Sequence, residues 1–228
     1  MLNPSEITKM LDHSLLQPYF TDDDLRAGCA IALKYGVASV CARPSDMKLV
    51  RALLAGSSVA VSTVIGFPHG SNTTQTKVFE AERAMDDGAI ELDMVLNIGK
   101  LKSGDSAYVE NDIRAVVEAA HARGAIVKVI LENCYLSDDE KRAACEICEA
   151  AGADYVKTST GYGTSGAKVE DLELMRSAVS PRVKVKAAGG LRTLDAVLAA
   201  KAAGADRCGV SATESIMQEL FKSRPAQA

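Results

Sequence analysis

The chain has 228 residues, is 47% hydrophobic and carries a formal net charge of −4 at pH 7. This is enough apolar material for one substantial core, and we expect a single domain over residues 1–228. No basic tract suits nucleic acid, and no apolar run approaches the roughly 18 residues of a membrane span. Met1–Asp12 lacks the apolar stretch of a signal peptide. Neither a nucleic-acid nor a membrane partner is expected.

Strand-like runs and helical segments alternate along the chain. The predicted strands are Ile7–Asp12, Val37–Ala42, Val59–Ile65, Glu91–Leu96, Ile126–Leu131, Tyr155–Thr158, Val183–Ala187 and Arg207–Gly209. The predicted helices are Thr21–Tyr35, Ser45–Leu54, Thr73–Asp87, Ser106–Arg123, Ser137–Ala151, Lys168–Ser180, Thr193–Ala203 and Ser211–Leu220. Thr21, Ser137 and Thr193 are the expected N-caps, because their hydroxyls can accept from the first free N–H groups. Ser223–Ala228 is expected to fray.

Eight strand–helix pairs in succession predict an α/β fold of the (β/α)₈ (TIM) barrel type. Four helical segments end at glycines spaced along the chain, with one further strand and helix between successive glycines: Gly36, Gly88, Gly152 and Gly204. The alternative is an open, doubly wound sheet. No G-x-G-x-x-G motif opens a helix after the first strand, which disfavours that alternative.

Side-chain alternation along these strands predicts a charged barrel interior. Where apolar residues face the helices, their neighbours along the strand must face inward. The residues predicted to face the interior are Glu91, Asp93, Lys128, Glu132, Tyr155, Lys157, Lys184 and Lys186, together with Asp12 at the end of the first predicted strand. An inert barrel would fill its interior with branched apolar residues. A buried salt-bridge network is the structural alternative, and it is a weak source of stability because desolvation offsets the attraction. For Glu91, Lys128 and Lys184 a purely structural role stays open.

Lys157 is the leading candidate for a catalytic group. An ammonium ion is costly inside an apolar strand unless it is paired or deprotonated, and Lys157 precedes a hydroxyl- and glycine-rich loop. Lys186 likewise ends a short apolar strand, and Asp93 lies in a third strand. Two lysines and an acid near strand ends indicate Schiff-base chemistry, in which a neutral amine attacks a carbonyl.

Glycine-rich loops after the last strands indicate a phosphate site. Gly189 and Gly190 precede Arg192 and a helix, and Gly209 and Ser211 precede the last helix. Backbone N–H groups in such loops can converge on an anion, and helix N-termini favour negative charge. The loops after the seventh and eighth strands are the usual phosphate site of this barrel, to which the loop at Gly161 could add N–H groups.

The six cysteines are scattered and are expected to be reduced in a cytoplasmic protein. Cys145 and Cys148 form a single C-x-x-C on a predicted helix face. Buried packing is favoured over a metal or redox pair, since no second pair accompanies them. Cys41 lies near the end of the second predicted strand, at the barrel mouth, where its thiol either packs against neighbouring side chains or forms adducts with aldehydes.

The chain resembles the deoxyribose-phosphate aldolases, which are class I aldolases with a (β/α)₈ barrel. The matching motifs are Leu11–Leu16, Ser39–Pro44, Val64–Gly70, Glu91–Gly99, Val156–Gly161 and Val185–Gly190. The resemblance implies reversible cleavage of 2-deoxy-D-ribose 5-phosphate to acetaldehyde and D-glyceraldehyde 3-phosphate, without a metal or organic cofactor. It also implies a homodimer or a higher homo-oligomer.

The resemblance assigns roles residue by residue. Lys157 matches the Schiff-base lysine, Lys186 the neighbour that lowers its pKa, and Asp93 the acid of the proton relay. The substrate-binding residues expected from the loops and the resemblance are Asp12, Cys41, Thr158, Gly161, Gly189, Gly190, Arg192, Gly209 and Ser211. Three positions depart from the family pattern and are expected to affect phosphate affinity more than chemistry: Ser165, Val210 and Ala212.

Two alternatives stay open and a third is disfavoured. The chain could be a class I aldolase with another donor, such as a keto acid or dihydroxyacetone phosphate. It could also be a sugar-phosphate-binding barrel without catalysis, although Lys157, Lys186 and Asp93 are all present. A metal-dependent phosphosugar epimerase would need a set of His and Asp ligands that the sequence lacks.

Overall fold

A computed structural model describes residues 3–222, which form a closed barrel of eight parallel strands in the order β1 to β8. Each strand pairs with its sequence neighbours, and β8 pairs with β1 to close the barrel. The strands are β1 Leu11–Leu15, β2 Ser39–Ala42, β3 Ala60–Ile65, β4 Glu91–Val95, β5 Ile126–Ile130, β6 Tyr155–Lys157, β7 Lys184–Ala188 and β8 Arg207–Val210. The predicted barrel is confirmed, and the open sheet is excluded.

The helices surround this barrel. They are α1 Pro4–Thr8, α2 Asp22–Tyr35, α3 Met47–Leu53, α4 Thr74–Asp86, α5 Ile98–Lys102, α6 Ser106–His121, α7 Asp138–Ala150, α8 Val169–Ala178, α9 Leu194–Ala202 and α10 Thr213–Lys222. The predicted caps are confirmed: the hydroxyls of Thr21, Ser137 and Thr193 each accept a backbone N–H of the helix that follows. Three further elements are not among the predicted ones: α1, α5 and a 3₁₀ turn at Asn133–Tyr135.

The first strand begins later than predicted. Ile7 lies in α1, not in a strand, and is buried there. The helix forms because the Asn3 side chain accepts the N–H of Ser5 and Pro4 occupies the first helical turn, where a missing N–H costs nothing. Asp12 is therefore the second residue of β1 and not its last.

Apolar side chains on the outer faces of the strands pack against the helices. Val127 and Val129 on β5 and Val185 on β7 are fully buried in this layer. Burying such a side chain stabilises the fold by roughly 1.5–3 kcal/mol. Because this outer layer supplies the hydrophobic stabilisation, the barrel interior can hold polar groups. All six cysteines are free thiols, and Cys145 and Cys148 are buried on α7.

Between residues 3 and 222 no helix combines the length and the apolar composition that crossing a bilayer requires. The predicted frayed segment Ser223–Ala228 lies outside the described residues.

Candidate active site

A cavity of about 180 Å³ opens at the carboxyl-terminal ends of the strands. Ten residues predicted for the site line it: Asp12, Cys41, Lys157, Gly161, Lys186, Gly189, Gly190, Arg192, Gly209 and Ser211. Its remaining wall includes residues that were not predicted for the site, namely Ser14, Leu16, Gln17, Phe20, Thr160 and Tyr162. Ser14 lies in β1, and Leu16, Gln17 and Phe20 lie in the loop that follows it. None of the four was predicted for the site, because the predicted first strand ended at Asp12.

Lys157 and Lys186 share one carboxylate oxygen. The Nζ atoms of both lysines lie 2.7 Å from Oδ2 of Asp93, and all three side chains are buried. The two lysines are register partners on the adjacent strands β6 and β7, so they point to the same side of the sheet. Asp93 reaches them from β4, where it is fully buried below the cavity.

The other contacts of this cluster extend toward the amino-terminal end of the barrel. Oδ1 of Asp93 accepts from Lys128 at 2.9 Å, and Lys128 also donates to Glu91 at 2.6 Å. Lys186 lies 2.6 Å from Oδ2 of Asp12. Arg207 donates to both Asp12 and Glu91. Arg207 was not predicted as a site residue, although it shares a strand face with Gly209.

The electrostatic environment separates the two lysines. Burial lowers the pKa of Lys157, and the positive charge of Lys186 adds to this effect, while Asp93 opposes it; the net direction is downward. Burial also acts to lower the pKa of Lys186, but Asp12 and Asp93 outweigh it, so that pKa is raised. Lys157 is consequently the easier amine to deprotonate.

Asp93 is held as a carboxylate. Burial alone would raise its pKa, but the charges of Lys128, Lys157 and Lys186 outweigh burial and hold the pKa well below its usual range. Because it accepts from three lysines at once, Asp93 connects the candidate nucleophile Lys157 to two proton donors, Lys128 and Lys186.

Three residues predicted to face the barrel interior or the substrate lie elsewhere. Lys184, at the amino-terminal end of β7, is exposed to solvent, with its ammonium 5.7 Å from the ring of Tyr155. Glu132 follows β5 and accepts from the backbone N–H and the hydroxyl of Thr160, outside the lysine–aspartate cluster. Thr158 lies outside the cavity because Lys157 takes the inward position, and its hydroxyl donates to Ala188 O at 3.1 Å.

The loops after β6, β7 and β8 form the possible anion site. Gly161, Gly189 and Gly190 have positive φ values of 89°, 85° and 84°, which other residues rarely adopt. A side chain on Gly166 would approach Gly189 O to 2.1 Å, so the β6 and β7 loops can meet only through glycine. The start of α10 at Thr213 adds the N-terminal end of a helix just after Ser211.

Arg43 and Tyr162 hold the loop that follows β1. The guanidinium of Arg43 donates to Gln17 O at 3.2 Å, Pro18 O at 3.1 Å and Phe20 O at 3.0 Å. The hydroxyl of Tyr162 donates to Leu16 O at 2.7 Å, which joins the β6 loop to the β1 loop across the mouth. These bonds fix the β1 loop as part of the cavity wall, since Leu16, Gln17 and Phe20 line the cavity.

Comparison with known proteins finds close relatives. The family model described as DeoC/LacD family aldolase matches residues 7–219. A deoxyribose-phosphate aldolase from Thermococcus gammatolerans is 52% identical over 93% of this chain and 96% of its own length. One from Rhodopirellula baltica is 51% identical over 95% of this chain and 90% of its own length. The tetrameric deoxyribose phosphate aldolase from Aeropyrum pernix superimposes with a TM-score of 0.89, at 33% identity over 97% of this chain and 93% of that chain.

Proposed function

Because this chain belongs to the DeoC/LacD family of aldolases, we propose that it cleaves 2-deoxy-D-ribose 5-phosphate reversibly into acetaldehyde and D-glyceraldehyde 3-phosphate, through a Schiff base on Lys157. The observation that carries the proposal is a buried lysine of lowered pKa at the cavity, bonded to a carboxylate that a second lysine also contacts. A neutral amine that can attack a carbonyl needs this environment.

In the first half of the reaction Nζ of Lys157 attacks C1 of the open-chain sugar. The carbinolamine that forms loses water to give an iminium ion. Lys186, held as an ammonium by Asp12 and Asp93, protonates the C1 oxygen as the amine adds and, once it has regained a proton, protonates it again as water leaves. Asp93 accepts the proton that the attacking nitrogen loses, and because both lysines contact the same oxygen, that proton can return to Lys186.

In the second half the bond between C2 and C3 breaks, since a two-carbon product must leave. The C3 hydroxyl gives its proton to Asp93, the electron pair of the C2–C3 bond forms a C1–C2 double bond as the C1–N pair moves to nitrogen, and glyceraldehyde 3-phosphate departs. The enamine left on Lys157 takes a proton at C2, and water then releases acetaldehyde and restores the amine. We assign the enamine proton transfers to Asp93 and Lys186, and the contacts to the substrate hydroxyls to Asp12.

The phosphate is proposed to bind between Gly161, Gly189, Gly190, Arg192, Gly209 and Ser211, all of which line the cavity. Binding energy at the phosphate orients the sugar so that C1 meets Lys157. All of this chemistry then belongs to one barrel domain.

We further propose that the chain assembles into a homo-oligomer, as its tetrameric Aeropyrum relative does; light scattering coupled to size exclusion measures the mass directly.

Borohydride trapping tests the proposed function. The protein is incubated with deoxyribose 5-phosphate and borohydride, and the adduct is mapped by mass spectrometry. A two-carbon or sugar adduct on Lys157 is expected, because borohydride reduces an iminium irreversibly. Dihydroxyacetone phosphate and pyruvate serve as competing donors. If folded protein gives no adduct on Lys157, the Schiff-base mechanism is overturned.

Replacement of Lys186 by methionine is expected to move the ascending limb of the pH profile of kcat/KM upward by about one pH unit. Only the neutral amine of Lys157 reacts, so activity rises with pH through its pKa. Without the charge of Lys186 that pKa rises, because Asp93 still favours the ammonium. We also expect kcat to fall by about 10²–10⁴-fold, since a proton donor is lost. Lys48→Met, at an exposed site on α3, is the matched control; an unmoved limb in K186M would contradict the assignment.

Replacement of Arg192 by glutamine is expected to raise KM for deoxyribose 5-phosphate by about tenfold, the effect of losing one charge-assisted bond of roughly 1.4 kcal/mol. Turnover of 2-deoxyribose, which has no phosphate, should change little. Steady-state kinetics on both sugars measure the difference, with Arg26→Gln on the exposed face of α2 as control. Equal losses on the two sugars would remove Arg192 from the phosphate site.

A further inference from the structure

Arg207 begins β8 near the amino-terminal end of the barrel, and the proposed reaction does not use it. Its side chain is only 16% exposed. The guanidinium donates to Asp12 and, at 3.2 Å, to Oε1 of Glu91. Its register partner on β7 is Lys186, so it lies next to the catalytic cluster without reaching the cavity.

Within residues 3–222, seven ionisable side chains form one network of ion pairs: Asp12, Glu91, Asp93, Lys128, Lys157, Lys186 and Arg207. Three of them are carboxylates and four are basic groups. A buried network is least costly when its charges cancel, because desolvation penalises any excess charge. Cancellation therefore requires that one of the four basic groups be neutral.

The contacts indicate which basic group is neutral. Arginine keeps its proton in proteins, so Arg207 is a fixed positive charge. Lys128 lies within ion-pair distance of three carboxylates, and Lys186 of two. Lys157 pairs with Asp93 alone. Because Lys157 has the fewest carboxylate partners, its ammonium form is the least stabilised, and it is the member of the network that can be uncharged.

We propose that Arg207 is a positioning residue for the aldolase reaction, whose fixed charge neutralises Asp12 and Glu91 from below so that the network does not retain a proton on Lys157. The inference rests on the Schiff-base role proposed for Lys157. Arg207 therefore acts on the site through its charge and not through contact with the substrate.

The other members of the network, and the one thiol that acts on Lys157, are consistent with this count. They come from six strands: Asp12 on β1, Cys41 on β2, Glu91 and Asp93 on β4, Lys128 on β5, Lys186 on β7 and Arg207 on β8. Burial raises the pKa of the Cys41 thiol, which therefore adds no charge. Burial would lower the pKa of Lys128, but Asp93, Asp12 and Glu91 raise it well above the ordinary value, so Lys128 stays charged.

The test is an NMR titration of Lys157 in protein labelled at the lysine ε-carbons, with the signal assigned by its loss in K157M. Arg207→Met leaves the network with one excess negative charge, so the pKa of Lys157 should rise by about one pH unit. Glu91→Gln leaves one excess positive charge and should lower it. The double variant E91Q/R207M restores the balance and should return the pKa toward that of the native protein, and Arg207→Lys should behave like the native protein.

Opposite signs in the two single variants separate charge balance from a structural role, since loss of packing would not reverse its sign. Arg26→Met removes the same charge from an exposed position on α2 and should leave Lys157 unchanged. An unchanged or lowered pKa of Lys157 in R207M overturns the proposal. If R207M does not fold, E91Q decides alone: a lowered pKa supports the proposal and any other result overturns it. The titration requires no turnover, so it is independent of whether borohydride traps an adduct.

Discussion

Replacement of Lys157 by methionine is expected to abolish turnover, with kcat lower by at least about 10⁴-fold. Methionine fills much of the same space but has no amine, so no covalent intermediate can form and no iminium can accept the electrons of the C2–C3 bond. The assay is cleavage of deoxyribose 5-phosphate, coupled to reduction of glyceraldehyde 3-phosphate.

The K157M variant is also expected to fold. Its loss leaves Asp93 paired with Lys128 and Lys186, so no buried charge is left without a partner. Exchange of a buried ionisable group for an apolar one is often neutral or stabilising when the remaining charges stay paired. Thermal unfolding should therefore show a melting temperature no lower than that of the native protein.

The matched control for K157M is Lys184→Met, which removes a lysine from the adjacent strand at an exposed position. Its kcat should stay within about twofold of the native value, as for most surface substitutions. Activity of K157M above about one-hundredth of the native value would contradict the proposed nucleophile, because another group would then have to form the covalent intermediate.

Replacement of Asp93 by asparagine is expected to lower both activity and stability. Asp93 accepts from three lysines in the barrel interior, and removing one partner of a buried ion pair typically costs about 3–5 kcal/mol. Loss of the group that passes protons between Lys157 and Lys186 should lower kcat by about 10²–10⁴-fold. Urea unfolding and steady-state kinetics measure the two effects separately.

The pH profile of D93N should move opposite to that of K186M. Asp93 raises the pKa of Lys157, so without it the amine loses its proton at lower pH and the ascending limb of kcat/KM shifts downward. Activity would be low even at a pH where Lys157 is fully neutral, because proton transfer would then limit the rate. Asp23→Asn, at an exposed site in the first turn of α2, is the control. A limb that moves upward in D93N would mean that Asp93 does not act on Lys157 as the geometry indicates.

Short-range patterns determined much of this protein. Alternation of apolar and charged residues placed Asp93, Lys128, Lys157 and Lys186 inside the barrel, since strand side chains alternate whatever the surrounding fold. Hydroxyl residues before acidic helical starts located the N-caps. Asn3 and Pro4 carried a comparable signal for α1, which could have corrected the boundary of the first strand.

Only the tertiary structure decided how deep each side chain lies and which groups meet. A period of two assigns Lys184 and Lys186 to the same face, but the tilt and stagger of a closed barrel leave Lys184 in solvent and bury Lys186. The shared oxygen of Asp93 and the pairing of Arg207 with Asp12 and Glu91 join strands far apart in sequence. Barrel closure brings these groups together, and because the charges of the whole network set each pKa, the ionisation of Lys157 depends on residues that no local pattern connects to it.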